Sequence, residues 1–244
     1  YIFWGKHHTS LDADVGAAAG TLGNAFSHAT NLPMYSSLAG GTDDNAPTDG
    51  ELQTGFAKFA NDEAVDVSLI PTGAVSATVS KYVVENVAEV RKDCMVFISP
   101  ELADAQSSTP ATDIKDFRTT QNINSSFAVM DSGYKYQFDR YNDVFRYVPL
   151  NGDVAGCLVR TDLVADPFFS PAGFNRGQIK NAVKLAYSPD KADRDTLYKN
   201  AINPVVSFPG QGTVLFGDKT MLSAPSAFDR INVRRLFIIL EKAI

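Results

Sequence analysis

Residues 64–98 read AVDVSLIPTGAVSATVSKYVVENVAEVRKDCMVFI, and this stretch decides the fold. Its opening, residues 64–70, has the alternating apolar character of a strand, and Pro71 closes it because proline cannot donate to a ladder. Residues 76–92 place Val79, Val83, Val87 and Val90 at i, i+4, i+8 and i+11, the spacing of one helix face. Met95-Val96-Phe97-Ile98 is an unbroken apolar run, as expected of a strand covered on both faces. Strand, helix and strand in this order predict a right-handed β-α-β crossover with parallel strands.

The same pattern recurs downstream. Residues 113–120 predict a helix and Phe127-Ala128-Val129-Met130 a strand, a second and weaker crossover. Residues 134–138 (YKYQF) and 144–148 (VFRYV) alternate in aromatics around a polar turn and predict an antiparallel hairpin. Upstream, Thr48 and Glu51 form a capping-box pair that starts a helix over residues 49–60, with Leu52, Phe56 and Phe59 inward. A helix is predicted over residues 152–164, with Val154, Cys157 and Leu158 inward. An irregular loop follows over 167–177, then a short charged helix over 191–200 entered from Ser188-Pro189-Asp190. The expected class is α/β: a mixed, partly parallel sheet with helices on both faces, plus an antiparallel hairpin.

The last quarter, residues 201–244, holds two short apolar runs, 205–208 and 213–216, joined by Pro209-Gly210-Gln211-Gly212. They predict a strand–turn–strand unit. A terminal helix follows, with Val233, Leu236, Phe237, Leu240 and Ile244 as the expected core-facing stripe. Ile238 and Ile239 widen that stripe, so the helix is expected to be covered on more than one side. Arg230, Arg234 and Arg235 sit near its first turns, where the helix dipole disfavours cations. Carboxylates gripped bidentately are the expected compensation, Asp229 being the local one.

These segments carry a resemblance. FGDKT at residues 216–220 and SAFDRINVRRLF at 226–237 resemble the tail sheath protein of contractile-tailed, T-even-like bacteriophages. SPAGFNRG at 170–177 is similar to the family's SPAG-x-NRG segment, and LYKNAIN at 197–203 to its L-x-x-x-x-I-N segment. Gly40-Gly41-Thr42-Asp43, a helix and the strand ending at Pro71 fit the family's opening. The resemblance covers most of residues 38–244. It implies a sheath core domain over 38–244, whose C-terminal arm is missing, with residues 1–37 the end of a preceding domain or a connecting segment. The chain begins without methionine and is expected to be part of a longer subunit.

What the resemblance implies is mechanical. Such subunits stack in a helical sleeve around a rigid tube and shift from an extended to a contracted lattice, driving the tube through the host envelope. The implied partners are other sheath subunits, the tail tube protein, the baseplate and the tail terminator. The implied location is the virion, after assembly in the host cytoplasm. Neighbours in such sheaths exchange terminal strands; without those arms this chain alone is expected to be monomeric. Arg176, Arg230, Arg234 and Arg235 are the subunit-contact candidates, some paired within the subunit and some between subunits. By the same analogy, residues 236–244 lie on the layer facing the tube.

Composition and motif inspection agree with a non-catalytic reading. At 244 residues, 44% hydrophobic and 20% charged, the chain can bury a large core. A net charge of −6 argues against a nucleic-acid binder driven by phosphate neutralisation, and Asp131, Asp139 and Asp143 argue against base stacking on the aromatic hairpin. No apolar run approaches membrane-spanning length, so no membrane insertion is expected. Cys94 and Cys157 each border an apolar run and read as buried thiols. His7-His8 with Asp12 and Asp14 invite a metal, yet no second ligand cluster completes the set, and no cofactor is implied. GAAAGTLG at 16–23 lacks the glycine spacing and the Lys-Ser/Thr of a phosphate loop. The alternatives are a sheath-like subunit of a bacterial contractile injection system, an α/β enzyme with an unrecognised pocket, and a passive binding module on a tail exterior.

Overall fold

The computed structural model describes residues 46–244. The His7-His8 pair, the 16–23 glycine-rich run, the Gly40–Asp43 opening and the boundary at residue 37 lie outside the described residues.

Thr48 caps helix α1 (Asp49–Ala57): its hydroxyl accepts from the Glu51 amide while Glu51 reaches back to the Thr48 amide. α1 buries no residue fully, and Leu52 and Phe56 are only half-buried against the core. β1 (Leu69–Pro71) is shorter than residues 64–70 predicted, and Pro71 lies inside it. β1 is an edge strand of the sheet, where a missing N–H is tolerated.

The predicted helix forms in three pieces, α2 (Ala77–Val83), a π-helical turn (Val84–Ala88) and α3 (Glu89–Arg91). A π turn takes an extra residue per turn, which advances the buried face by one position. Val79, Val83 and Val87 are buried as expected, but Val90 is 63% exposed. Arg91 is buried in its stead, held by Asp93 at 2.7 and 2.8 Å and by the Phe59 carbonyl at 2.7 Å. The π turn, not the heptad-like spacing, decides which side chain points inward.

β2 (Met95–Ile98) is buried at all four positions, so both faces of the sheet are covered. Helices α4 (Leu102–Ala105) and α5 (Pro110–Gln121) lead to β3 (Ala128–Asp131). β1, β2 and β3 pair in parallel, and β7 (Ile202–Asn203) adds a fourth parallel strand through Met130 opposite Ile202. The order β1-β2-β3-β7 leaves β1 and β7 at the two edges. Sequence reading did not assign β7, because two residues are too few for a periodicity.

β4 (Tyr134–Asp139) and β5 (Val144–Pro149) form the predicted antiparallel hairpin, and β6 (Lys184–Leu185) joins β4 as a third strand. α6 (Asn151–Val164) lies across β1, β2 and β3 with Val154, Cys157 and Leu158 buried, as predicted. α7 (Lys191–Lys199) is capped by Asp190, which accepts from the Asp193 amide. β8 (Val205–Phe208) and β9 (Gly212–Leu215) pair antiparallel around the predicted turn, with Gly210 and Gly212 both at positive φ.

A 3-10 turn (Ala227–Asp229) enters the terminal helix α8 (Ile231–Ala243), and here the sequence expectation is overturned. The buried line is Ile231, Arg235 and Ile238. The predicted stripe sits on the other side: Phe237 is 41% and Leu240 46% exposed, and Ile244 is open to solvent. α8 carries two apolar faces, and the shorter, isoleucine-rich one meets the core. Lys242 continues the inner line and bonds Asp66 at 2.7 Å and Asp93 at 3.3 Å, which a buried leucine stripe would not allow.

Candidate subunit-contact surface

The motif segments, scattered over sixty residues of sequence, converge on one carboxylate. Asp218 accepts through Oδ1 from Arg230 Nη1 at 2.6 Å and from the Tyr198 hydroxyl at 3.2 Å. Its Oδ2 accepts from the Ser170 hydroxyl at 3.0 Å, and its carbonyl receives the Ile231 amide that begins α8. Arg230 Nη1 also donates to the Tyr198 oxygen at 2.6 Å. The Arg230 guanidinium is held above its usual pKa, first by the bond to Asp218. Burial and then the Asp218 charge push the Tyr198 phenol up.

A second knot lies alongside. Asn203 donates to the Met130 and Lys219 carbonyls and accepts from the Lys219 amide at 2.7 Å. Gly217 packs so closely on Asn203 that a Cβ there would lie 2.9 Å from its Oδ1. Asp218 and Asn203 were missed by sequence reasoning. Their only signal was membership of FGDKT and LYKNAIN, since an isolated acid or amide has no periodicity to betray it.

The four arginines are placed differently from one another. Arg230 is ion-paired to Asp218 and, at 3.5 Å, to Asp229. Arg235 reaches Asp162 of α6 at 3.1 Å through one nitrogen, while its Nε and Nη1 are buried with no partner. Arg234 has no ion pair among the described residues. It lies between the rings of Phe127 and Phe228, at 4.2 and 4.1 Å from their centroids. Burial holds its pKa below the usual arginine value. Arg176 donates to the Ser170 carbonyl at 2.7 Å and lies over the Phe169 ring. None of the carboxylate grips is bidentate. The compensation for cations at the front of α8 is two ion pairs at Arg230, one at Arg235, and aromatic faces at Arg234. Arg176 bonds the Ser170 loop directly and Arg230 only through Asp218, whereas Arg234 turns away toward Phe127.

Two further surfaces bear on function. Beyond the carboxyl ends of the parallel strands, where open α/β sheets take ligands, a cleft of about 430 Å³ lies open, lined by Ala74, Ser76, Glu101, Leu102 and Tyr134, and the start of α6 packs against the strand ends. There the Asn151 amide donates to Ser99 Oγ at 3.1 Å and its side chain to the Gly73 carbonyl at 2.8 Å. Ser99 in turn donates to buried Asp131 at 2.7 Å. The second surface is the outward apolar face of α8, Val233, Phe237, Leu240 and Ile244, with Phe228 stacked edge-on against Phe237 at 5.1 Å.

Residues 45–221 match the family described as phage tail sheath protein central domain. The chain belongs to that family. It is 45% identical over 239 residues to the tail sheath protein of Enterobacteria phage T4, covering 88% of this chain and 36% of the relative. It is 44% identical over 229 residues to the tail sheath protein of Vibrio phage KVP40, covering 85% and 34%. The chain thus spans about a third of the length of these curated relatives. Its fold is also that of the helical sheath of the anti-feeding prophage in its contracted state, with a TM-score of 0.59 at 17% identity over 84% of this chain and 51% of that one. The sheath complex of an extracellular contractile injection system, PVC, gives the same TM-score at 15% identity, over 82% and 57%. The sheath family is a family of structural proteins, and its resemblance motifs in this chain are spent on the Asp218 and Asn203 knots.

Proposed function

We propose that this chain is the core of a contractile phage tail sheath subunit. Its complete form polymerises around the tail tube, and it shifts between an extended and a contracted lattice to drive the tube through the host envelope. The observation that carries this reading is α8. A helix with one face locked into its own core by Ile231, Arg235 and Ile238 presents a second apolar face that is uncovered among the described residues, as a face that meets a neighbour in an assembly would be. The Asp218 knot ties that helix to the loop at Ser170 and to α7, and the adjacent Lys219 is bonded to Asn203 at the sheet edge, so a load on α8 is passed to the whole body. Rigid blocks of this kind exchange contacts between two lattices without deforming.

In this reading the outer face of α8 meets the tail tube protein, and other sheath subunits, the baseplate and the tail terminator are the remaining partners. Assembly takes place in the host cytoplasm and the product resides in the virion. Arg176, half-buried and without an ion pair among the described residues, is the contact candidate freest to serve a neighbour. Arg230 and Arg235 serve the fold first. The sequence likeness to phage sheaths, far above the likeness to injection-system sheaths, favours a phage tail. Electron microscopy of the complete recombinant subunit tests the proposal: long tubes are expected, and their absence overturns it. Residues 1–244 alone are expected to scatter light as a monomer at micromolar concentration.

A further inference from the structure

At the β7 edge of the sheet lies a cleft of about 330 Å³ lined by Arg118 of α5, Lys199 at the end of α7, Lys219 of the FGDKT segment, Ser223 and Asp229. The three cations have no carboxylate partner among the described residues, and the one acid in the lining, Asp229, is drawn to Arg230. The Arg118 guanidinium is fixed by a single bond from Nη2 to the Met221 carbonyl at 3.0 Å, and its Nε is buried without a partner. Burial lowers its pKa, so the charge is desolvated without a counter-charge. Lys219 is held in place by the Tyr198 ring, 4.4 Å from its centroid, and by the Tyr198 carbonyl. A chain with net charge −6 has concentrated unpaired positive charge in one concave place.

The opposite edge offers the complement. The segment leading into β1 carries Asp62 and Glu63, both exposed and without an ion pair among the described residues. β1 and β7 are the two edge strands of the sheet, so the acidic segment and the basic cleft sit at opposite edges of one body. A contact between unlike patches at opposite edges is heterologous: it is satisfied by adding copies in a row and does not close into a two-fold dimer.

Resting on the sheath reading above, we propose that the Arg118–Lys199–Lys219 cleft is a socket for the Asp62–Glu63 segment of a second copy of this chain. The contact steers subunits into head-to-tail register. The test uses the complete subunit, with tube formation followed by light scattering and electron microscopy and folding by thermal melts. Lys199→Glu, and separately Asp62→Lys with Glu63→Lys, are expected to melt as the wild type does. Each is expected to slow tube formation by roughly tenfold or more at low salt, and the wild-type rate to fall as salt is added. Combining the two reversals is expected to restore assembly. Single variants that assemble at the wild-type rate overturn the proposal while leaving the sheath reading intact. Slowed singles without rescue also overturn it, because the cleft then serves a different acidic partner. A wild-type subunit that forms no tubes overturns both readings.

Discussion

Asp131 sits in an environment that an aspartate disfavours. It is 1% exposed at the end of β3, and burial pushes its carboxyl up to about 8, against the Gly133 amide and Ser99 hydroxyl that favour the charged form. The folded state therefore holds a proton that the unfolded chain, with an aspartate pKa of about 3.9, releases. The resulting stabilisation is fully present below the unfolded pKa and is lost as pH rises through the folded one. Between those values stability is expected to fall by about 1.4 kcal/mol per pH unit from this group alone. Urea melts from pH 5 to 7 should show that slope in the wild type and a much shallower one in Asp131→Asn; parallel curves would refute it. Asp218 makes the contrasting case, a carboxylate filled by three donors. Asp218→Ala is expected to cost about 2–4 kcal/mol, since it strands Arg230, Tyr198 and Ser170 together. Asp229→Ala, which loses only a 3.5 Å pair to a half-exposed arginine, should cost under about 1 kcal/mol. Equal losses in denaturant melts would disprove the knot. The roles of Asp131 and Asp218 were not legible in sequence, because each depends on partners that only folding brings near.

At the scale of elements, the crossover strand β2, the helix α6 and both hairpins were legible because their apolar patterns extend over several residues. The failures have local causes. The π turn after Val83 moved the inward position from Val90 to Arg91, and no spacing rule anticipates an inserted residue. In α8 the apolar residues occupy two faces, and hydrophobic periodicity cannot tell which one the core takes. The two faces predict opposite behaviour. Ile238→Ala, at a fully buried site, is expected to destabilise the isolated chain by about 2–5 kcal/mol. Leu240→Ser should change its stability by no more than about 1 kcal/mol, yet impair tube formation in the complete subunit. A large stability loss in Leu240→Ser would mean that the outer face is covered within the chain. The Ser170 loop owes its path to Gly177, where a Cβ would lie 2.8 Å from both the Gly173 nitrogen and the Leu215 carbonyl. Those are backbone atoms that cannot step aside, so Gly177→Ala is expected to cost about 1–3 kcal/mol in a thermal melt. A neutral result would show that the loop can relax.

For the whole molecule, the residues themselves determined a good deal. Apolar spacing gave the α/β class and the parallel crossover, and the net charge of −6 argued against phosphate-driven nucleic-acid binding. Four short motifs, read as a resemblance, pointed to the sheath family to which the chain belongs. Only the tertiary structure decided that those motifs meet at Asp218 and Asn203, which face of α8 is buried, and that unpaired positive charge gathers at the edge opposite Asp62 and Glu63. The physical reason is range. Periodicity and turn chemistry act over a few residues and are written into the chain. Charge pairing, close approach and the choice between the two faces of α8 are set by groups dozens of residues apart, and exist only once the sheet has brought them together.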